Sequence, residues 1–193
     1  MALGLGTLLL CLAGGLRAQA PAAADTTRPN PREGFWVSIG LGNGTGAADC
    51  PDCAPDHITS LSEYIRLGGT LSQSFLFGVE ENGYYPQEGQ VREMGFVSGV
   101  VIWYPRPTGA WFVKVGAGIA RYHEVNGGSE IQTWAPQASI GAGYDFRTSR
   151  VFSITAFVTA LATGTTGYEL DGVATSSRIS FRLVQVGVGL TWH

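Results

Sequence analysis

The chain has 193 residues, of which 45% are hydrophobic and only 14% charged, with a formal net charge of −3. Soluble globular domains carry about a quarter charged residues, so this surface is short of charge, and the 12 basic residues form no cluster suited to nucleic acid. Beyond the N-terminal stretch no apolar run approaches the ~20 residues that a membrane helix needs. Only helices and closed barrels satisfy every backbone group inside a bilayer, so the composition favours a β-barrel in lipid. The 28 glycines and 9 prolines, without a collagen-like period, favour turns and strands over helices.

Residues 1–20 read as a secretory signal, with an apolar core at Leu8–Ala13 and small residues at Ala18-Gln19-Ala20. Cleavage after Ala18, Ala20 or Ala24 fits this pattern. Residues 21–33, rich in Ala, Pro, Thr and Arg, read as a flexible lead-in, and 34–193 as one barrel domain. Removing the leader removes Cys11 and leaves Cys50 and Cys53. In an oxidising compartment these two pair by default. A metal site built on Cys50, Cys53 and His57 falls short of the four ligands that a closed site wants.

From Gly34 onward the pattern has period two, and eight strands are expected: 34–44, 60–71, 75–85, 91–104, 110–122, 132–146, 151–164 and 179–193. The sixth and eighth alternate most cleanly. Trp134, Pro136, Ala138, Ile140, Ala142, Tyr144 and Phe146 share one face of the sixth; Val184, Val186, Val188, Leu190 and Trp192 share one face of the eighth. Pro136 has no ladder donor, so an irregularity is expected there. In the fourth strand the face is ambiguous, because Met94 and Phe96 oppose Val97 and Val101. Short turns at 72–74, 105–109 and 147–150 face longer connections at 45–59, 123–131 and 165–178, with the short 86–90 as the exception, the rim pattern of a transmembrane barrel. Aromatics gather at both strand ends. Phe35, Trp36, Phe75, Phe77, Trp103, Tyr104, Trp111, Phe112, Tyr144, Phe146, Phe152 and Trp192 lie near the short-turn rim, and Tyr84, Tyr85, Tyr122, Trp134 and Tyr168 near the loop rim.

With lipid outside, the inner face must be polar or small. Arg66, Glu80, Glu93, Lys114, Gln137 and Gln185 are assigned to it, with both charge signs present so that pairs can form across the lumen. The Gly-x-Gly pairs at 40/42, 116/118, 141/143 and 187/189 also point inward, where they permit either tight curvature or a narrow cavity.

The leader, the eight alternating strands and the aromatic last strand together resemble the small outer-membrane barrels of the OmpA/OmpX/OmpW type. The resemblance covers Gly34–His193 and is architectural. It implies an all-β, eight-stranded antiparallel transmembrane barrel with up-and-down topology in the bacterial outer membrane. It also implies a monomer among outer-membrane lipids and lipopolysaccharide, without a cofactor. Val188, Leu190 and Trp192 match the C-terminal signal that barrel-assembly machinery reads in such proteins; His193 after Trp192 departs from it.

Three roles follow: a structural or surface-binding barrel, a passage for small solutes, or a lipid A-modifying enzyme. The last needs a hydroxyl, a base and an acid, and His57, His123 and His193 all lack the His-x-Ser spacing of the lipid A deacylases. Arg92, Arg121, Arg178 and Arg182 near the loop ends are candidates for lipid phosphate. A rival fold is a secreted lipocalin-like carrier, which Gly34-Phe35-Trp36 resembles at its opening. The polarity of the two faces separates them, since a carrier is apolar inside and a membrane barrel apolar outside.

Overall fold

The structure is a computed structural model that describes residues 32–53, 57–86, 91–149 and 151–193. The leader and most of the lead-in lie outside the described residues. Within them all regular structure is strand: β1 (Phe35–Asp49), β2 (Ile58–Ser72), β3 (Phe75–Tyr85), β4 (Val91–Trp103), β5 (Trp111–Asn126), β6 (Ser129–Arg147), β7 (Phe152–Thr163), β8 (Thr166–Leu170) and β9 (Val173–Trp192). Neighbours pair antiparallel, and β9 returns to β1 from Val37↔Trp192 to Asp49↔Ser180, which closes the sheet. Because β7 and β8 both pair with β9, they are two parts of one stave, and the barrel has eight staves.

The closure carries a fixed stagger. Stepping across the ladder from Val37 leads through Leu67, Val79, Gly99, Ala117, Ala138, Ala162 and Arg182, and returns to β1 at Ala47, ten residues further along. With eight staves that stagger tilts the strands by about 40° from the barrel axis. Among the described residues no strand edge is left open apart from one break between β6 and β7, so the backbone polar groups are paired within the wall, as a bilayer requires.

Two of the expected long connections are tight hairpins instead. β5 runs to Asn126 and turns through Gly127 and Gly128, both at positive φ (59° and 94°). β8 turns into β9 through Asp171 and Gly172, at φ 52° and 76°. Gly-Gly and Asp-Gly are the pairs that tolerate the two left-handed residues of a two-residue hairpin. The strands therefore continue past the bilayer, and residues assigned to loops at 123–131 and 165–178 are mostly ladder.

The expected irregularity at Pro136 falls on one side only. Toward β5 it pairs in register with Ile119. Toward β7, the Gly164 N–H donates to the Pro136 carbonyl at 2.9 Å, but Pro136 has no N–H to return the bond. The β6–β7 ladder stops there, and β8 rejoins β6 one residue out of step at Gln132↔Glu169. On the other flank of the break the Thr163 hydroxyl accepts from Phe181 N–H (2.9 Å) and donates to the Phe181 carbonyl (3.1 Å), replacing a main-chain rung.

The outer face is apolar around the ring: Ile39, Leu67, Val101, Val115, Ile140, Val158 and Val186 are all exposed. This arrangement sets aside the lipocalin-like alternative, which needs the opposite polarity. The inner face is not merely polar or small, for Trp36, Leu76, Phe96, Phe112, Phe157, Phe181 and Leu183 are buried there. Trp36, Tyr84, Tyr104, Phe112, Tyr122 and Tyr168 thus belong to the lumen and not to the aromatic bands. β4 resolves with Met94, Phe96, Ser98, Val100 and Ile102 inward, so Glu93 faces outward and is exposed. Its inward assignment is corrected by the period of two: once Met94 and Phe96 fill the lumen, every odd-numbered residue of β4 must face away.

At the β1–β9 seam the inward glycines permit close approach. A Cβ on Gly42 would collide with the Val186 carbonyl, and one on Gly187 with that of Leu41. Gly42→Val should therefore block closure. In SDS gels of membrane fractions, most of this variant should run at the same mobility boiled or unboiled, whereas the parent barrel shifts on boiling.

Candidate functional site: the filled lumen and its two ends

From the short-turn end, the first obstruction is Arg32, which is almost fully buried although it precedes β1. Its guanidinium donates to the carbonyls of Gln73 (3.3 Å), Pro107 (3.0 Å) and Gly109 (2.5 Å), and stacks 3.4 Å over the Tyr104 ring. Its backbone exchanges two bonds with the Gln73 side chain, at 2.8 and 3.0 Å. One residue thereby ties the β2–β3 and β4–β5 turns across the mouth. The sequence showed it only as one of two arginines in the lead-in.

Above it Trp36, Leu76, Ile102, Tyr104 and Phe112 form an apolar layer. A hydroxyl chain runs beside them. Tyr104 and Thr155 each donate to Asp145 at 2.7 Å, and Thr155, Thr191, Ser38 and Tyr64 follow at 2.8, 2.8 and 2.9 Å. The inward glycines receive side chains here instead of lining a cavity. Tyr64 occupies the place of a Cβ at Gly40 and Gly189, Phe112 that at Gly143, and the Lys114 stem that at Gly141.

The middle of the lumen is ionic. Glu80 accepts from Arg66 and Lys114, and Asn82 donates to it at 2.8 Å; Gln185 donates to Asn82 at 2.5 Å. Gln137 donates to Ser98 nearby. Arg66, Glu80, Lys114, Gln137 and Gln185 are all buried. The Arg66 guanidinium also lies 3.7 Å over the Tyr64 ring, whose edge meets Phe157 at 4.7 Å. Two cations share one carboxylate, so Glu80 offsets the desolvation cost of both.

Toward the loop end a second apolar cluster fills the lumen, with Tyr84, Phe96, Leu161, Phe181 and Leu183 among its members. Arg92 pairs with Glu124 at 3.2 Å inside it, and Tyr122 donates to the same carboxylate. Arg92 is therefore a lumen residue and not a lipid contact, whereas Arg121, Arg178 and Arg182 face outward and are exposed. Cys50 and Cys53 form a disulfide with Cα atoms 5.2 Å apart, and both pack on this cluster. Asp52 between them accepts from Tyr168. Residues 50–53 thus pack onto the loop end of the lumen.

The histidines do not assemble a catalytic group. His57 is exposed before β2, and His123 meets Glu130 at 3.1 Å on the outer face. His193 lies at the short-turn end, where burial lowers its pKa from the ordinary imidazole value and Asp145 opposes that shift. Among the described residues none of the three bonds a hydroxyl, and no group of three or more His, Cys, Asp or Glu is placed to hold a metal. Val188, Leu190 and Trp192 face outward on β9, beside Leu41, Ile39 and Val37 of β1.

A closed eight-stave meander with an apolar exterior and a plugged interior defines a transmembrane β-barrel of the bacterial outer-membrane type. No family model matches the sequence, and no curated protein matches it. Solved structures do match in shape. Neisserial surface protein A superposes with a TM-score of 0.57 at 13% identity, covering 82% of this chain and 96% of that one. The outer-membrane protein OprG from Pseudomonas aeruginosa gives 0.53 at 12%, covering 86% and 99%. At such identities the likeness is one of fold.

Removing Glu80 leaves two buried cations without their counter-charge, a loss that typically costs about 3–5 kcal/mol. Glu80→Gln should lower the urea midpoint of the refolded barrel strongly. A Lys114→Met change in the same chain should recover a large part, because the neutral amide then faces Arg66 alone.

Proposed function

We propose that this protein works as a closed barrel, a structural and surface-binding element of the outer membrane, without an open aqueous pore. The observation that carries this reading is the succession of side-chain layers packed in the lumen. Arg32, the Trp36–Tyr104 layer, the Arg66–Glu80–Lys114 cluster and the upper apolar cluster lie in series, and the disulfide loop caps them. Its partners are outer-membrane lipids and lipopolysaccharide, and Val188, Leu190 and Trp192 serve as the outward signal for barrel assembly. The working surfaces are then the exterior wall and the loop rim. Planar-bilayer recordings of the refolded protein should show no stepwise conductance, and Lys114→Ala should remain silent because three other layers persist. Stable single-channel openings in the parent protein would overturn the reading. An enzymatic role on lipid A predicts altered lipid A mass in expressing cells; we expect unchanged spectra.

A second reading, passage of a small apolar solute, is favoured by one feature. The β6–β7 ladder ends at Pro136 beside the upper apolar cluster, so a solute blocked axially has a weak place in the wall at Gly164. Cells expressing a Pro136→Cys, Gly164→Cys disulfide should then lose uptake of an apolar probe that the parent barrel admits. Equal uptake in both would dismiss the passage.

A further inference from the structure

The outer surface is uneven in height. Because all staves share one tilt, counting residues from the lower aromatic ring measures height, at about 2.5 Å per residue for a 3.3 Å rise tilted by 40°. Tyr85 stands ten residues from Phe75, Glu93 ten from Trp103, Arg121 ten from Trp111 and Arg182 ten from Trp192. These four mark an upper ring about 25 Å above the lower one, the height of the apolar band in such barrels. On β4, β5, β6, β7 and β9 the outward residues between the rings carry no charge.

On β1–β3 they do. Glu81 is outward and exposed, four residues below Tyr85, and so about 10 Å beneath the upper ring. It lies between Ile65 and Val97 and has no hydrogen bond or ion pair among the described residues. Glu63, diagonal to it, pairs across the ladder with Gly83 and Leu41, and the exposed Asn43 is the next outward residue on β1. Tyr85, at the upper ring, turns its hydroxyl down over the buried Gly83 to donate to Glu63 at 3.3 Å. A tyrosine at a bilayer surface ordinarily points its hydroxyl toward the head groups. Beside it Gly95 opens onto free space, with no atom within 4 Å of where a Cβ would stand. Carboxylates facing hydrocarbon are costly and rare, and here two of them, an asparagine and a descending phenol share one arc.

We propose that the leaflet at the loop end is thinned against β1–β3, with lipid head groups and water descending about 10 Å along the Gly95 notch to reach Glu63 and Glu81. The barrel thus wears a belt that is short on this arc, up to the Gly95 face of β4, and full height from β5 to β9, and it perturbs the bilayer on one side. The occupant of the arc is the polar surface of the membrane itself.

The test uses the protein in phosphatidylcholine vesicles with a nitroxide on Val97, the β4 partner of Glu81, or on Ile140 of β6. Val97 stands six residues from Trp103 and Ile140 six from Phe146, so their heights match. The Val97 label should collide with a water-soluble nickel chelate several-fold more often than the Ile140 label, relative to oxygen. The difference should vanish in a Glu63→Leu, Glu81→Leu barrel that retains its heat-dependent gel shift. Equal depth at the two labels in the parent barrel would overturn the proposal. So would a Val97 label sheltered from both reagents, which would mean that a second copy or another protein covers the arc. A label at Ile65 repeats the measurement should Val97 prove intolerant.

Discussion

The stagger of ten residues at the β1–β9 closure is the constraint on which the rest depends. In hydrocarbon no backbone group can be left for water to satisfy, so the sheet must close. With eight staves the stagger sets the tilt, and the tilt sets the height of the apolar band and the width of the lumen. A lumen of that width holds side chains and little else. Its contents are consequently packed as a core, with glycines on the wall serving as sockets for Tyr64, Phe112 and Lys114.

That core differs from the core of a soluble protein in where its charges sit. The exterior is given over to lipid, so the polar residues needed to specify one packing are drawn inside. Glu80 is the hinge of that arrangement, because it faces Arg66 and Lys114 at once and carries Asn82 and Gln185 behind them. Apolar layers lie above and below the cluster. Arg32 and the Cys50–Cys53 loop close the two ends by opposite means: one by hydrogen bonds to turn carbonyls, the other by contact with the upper cluster.

The exterior is less uniform than the class requires. Most of the wall satisfies lipid with valine, isoleucine, leucine and alanine, while β1–β3 carry Asn43, Glu63 and Glu81 within the band. The ladder break at Pro136 lies on another part of the ring, where the wall is apolar but its pairing is incomplete. Any interaction of this barrel with membrane components has these two irregular regions to work with, one defined by charge and the other by backbone.

Much was legible from the chain alone. Alternation of period two over long strands, with 14% charged residues, determined a barrel in lipid, because a strand slipped by one residue would turn its whole apolar face inward. The same alternation placed Arg66, Glu80, Lys114, Gln137 and Gln185 on the inner face, and Pro136 marked its own break. It failed on β4, where both faces are apolar and alternation has no sign; only the packing of Met94 and Phe96 against the lumen turned Glu93 outward. Gly127-Gly128 and Asp171-Gly172 are hairpin signals in the chain itself, masked by polar flanks that read as loop until the ladder carries them past the bilayer. What only the tertiary structure decided were relations across strands: the stagger of closure, the sharing of one carboxylate by two cations from different staves, the reach of Arg32 to three turn carbonyls, and the depth of Glu81 beneath the rim. Each depends on register between distant segments, and that register is settled only when β9 meets β1 and the ring closes.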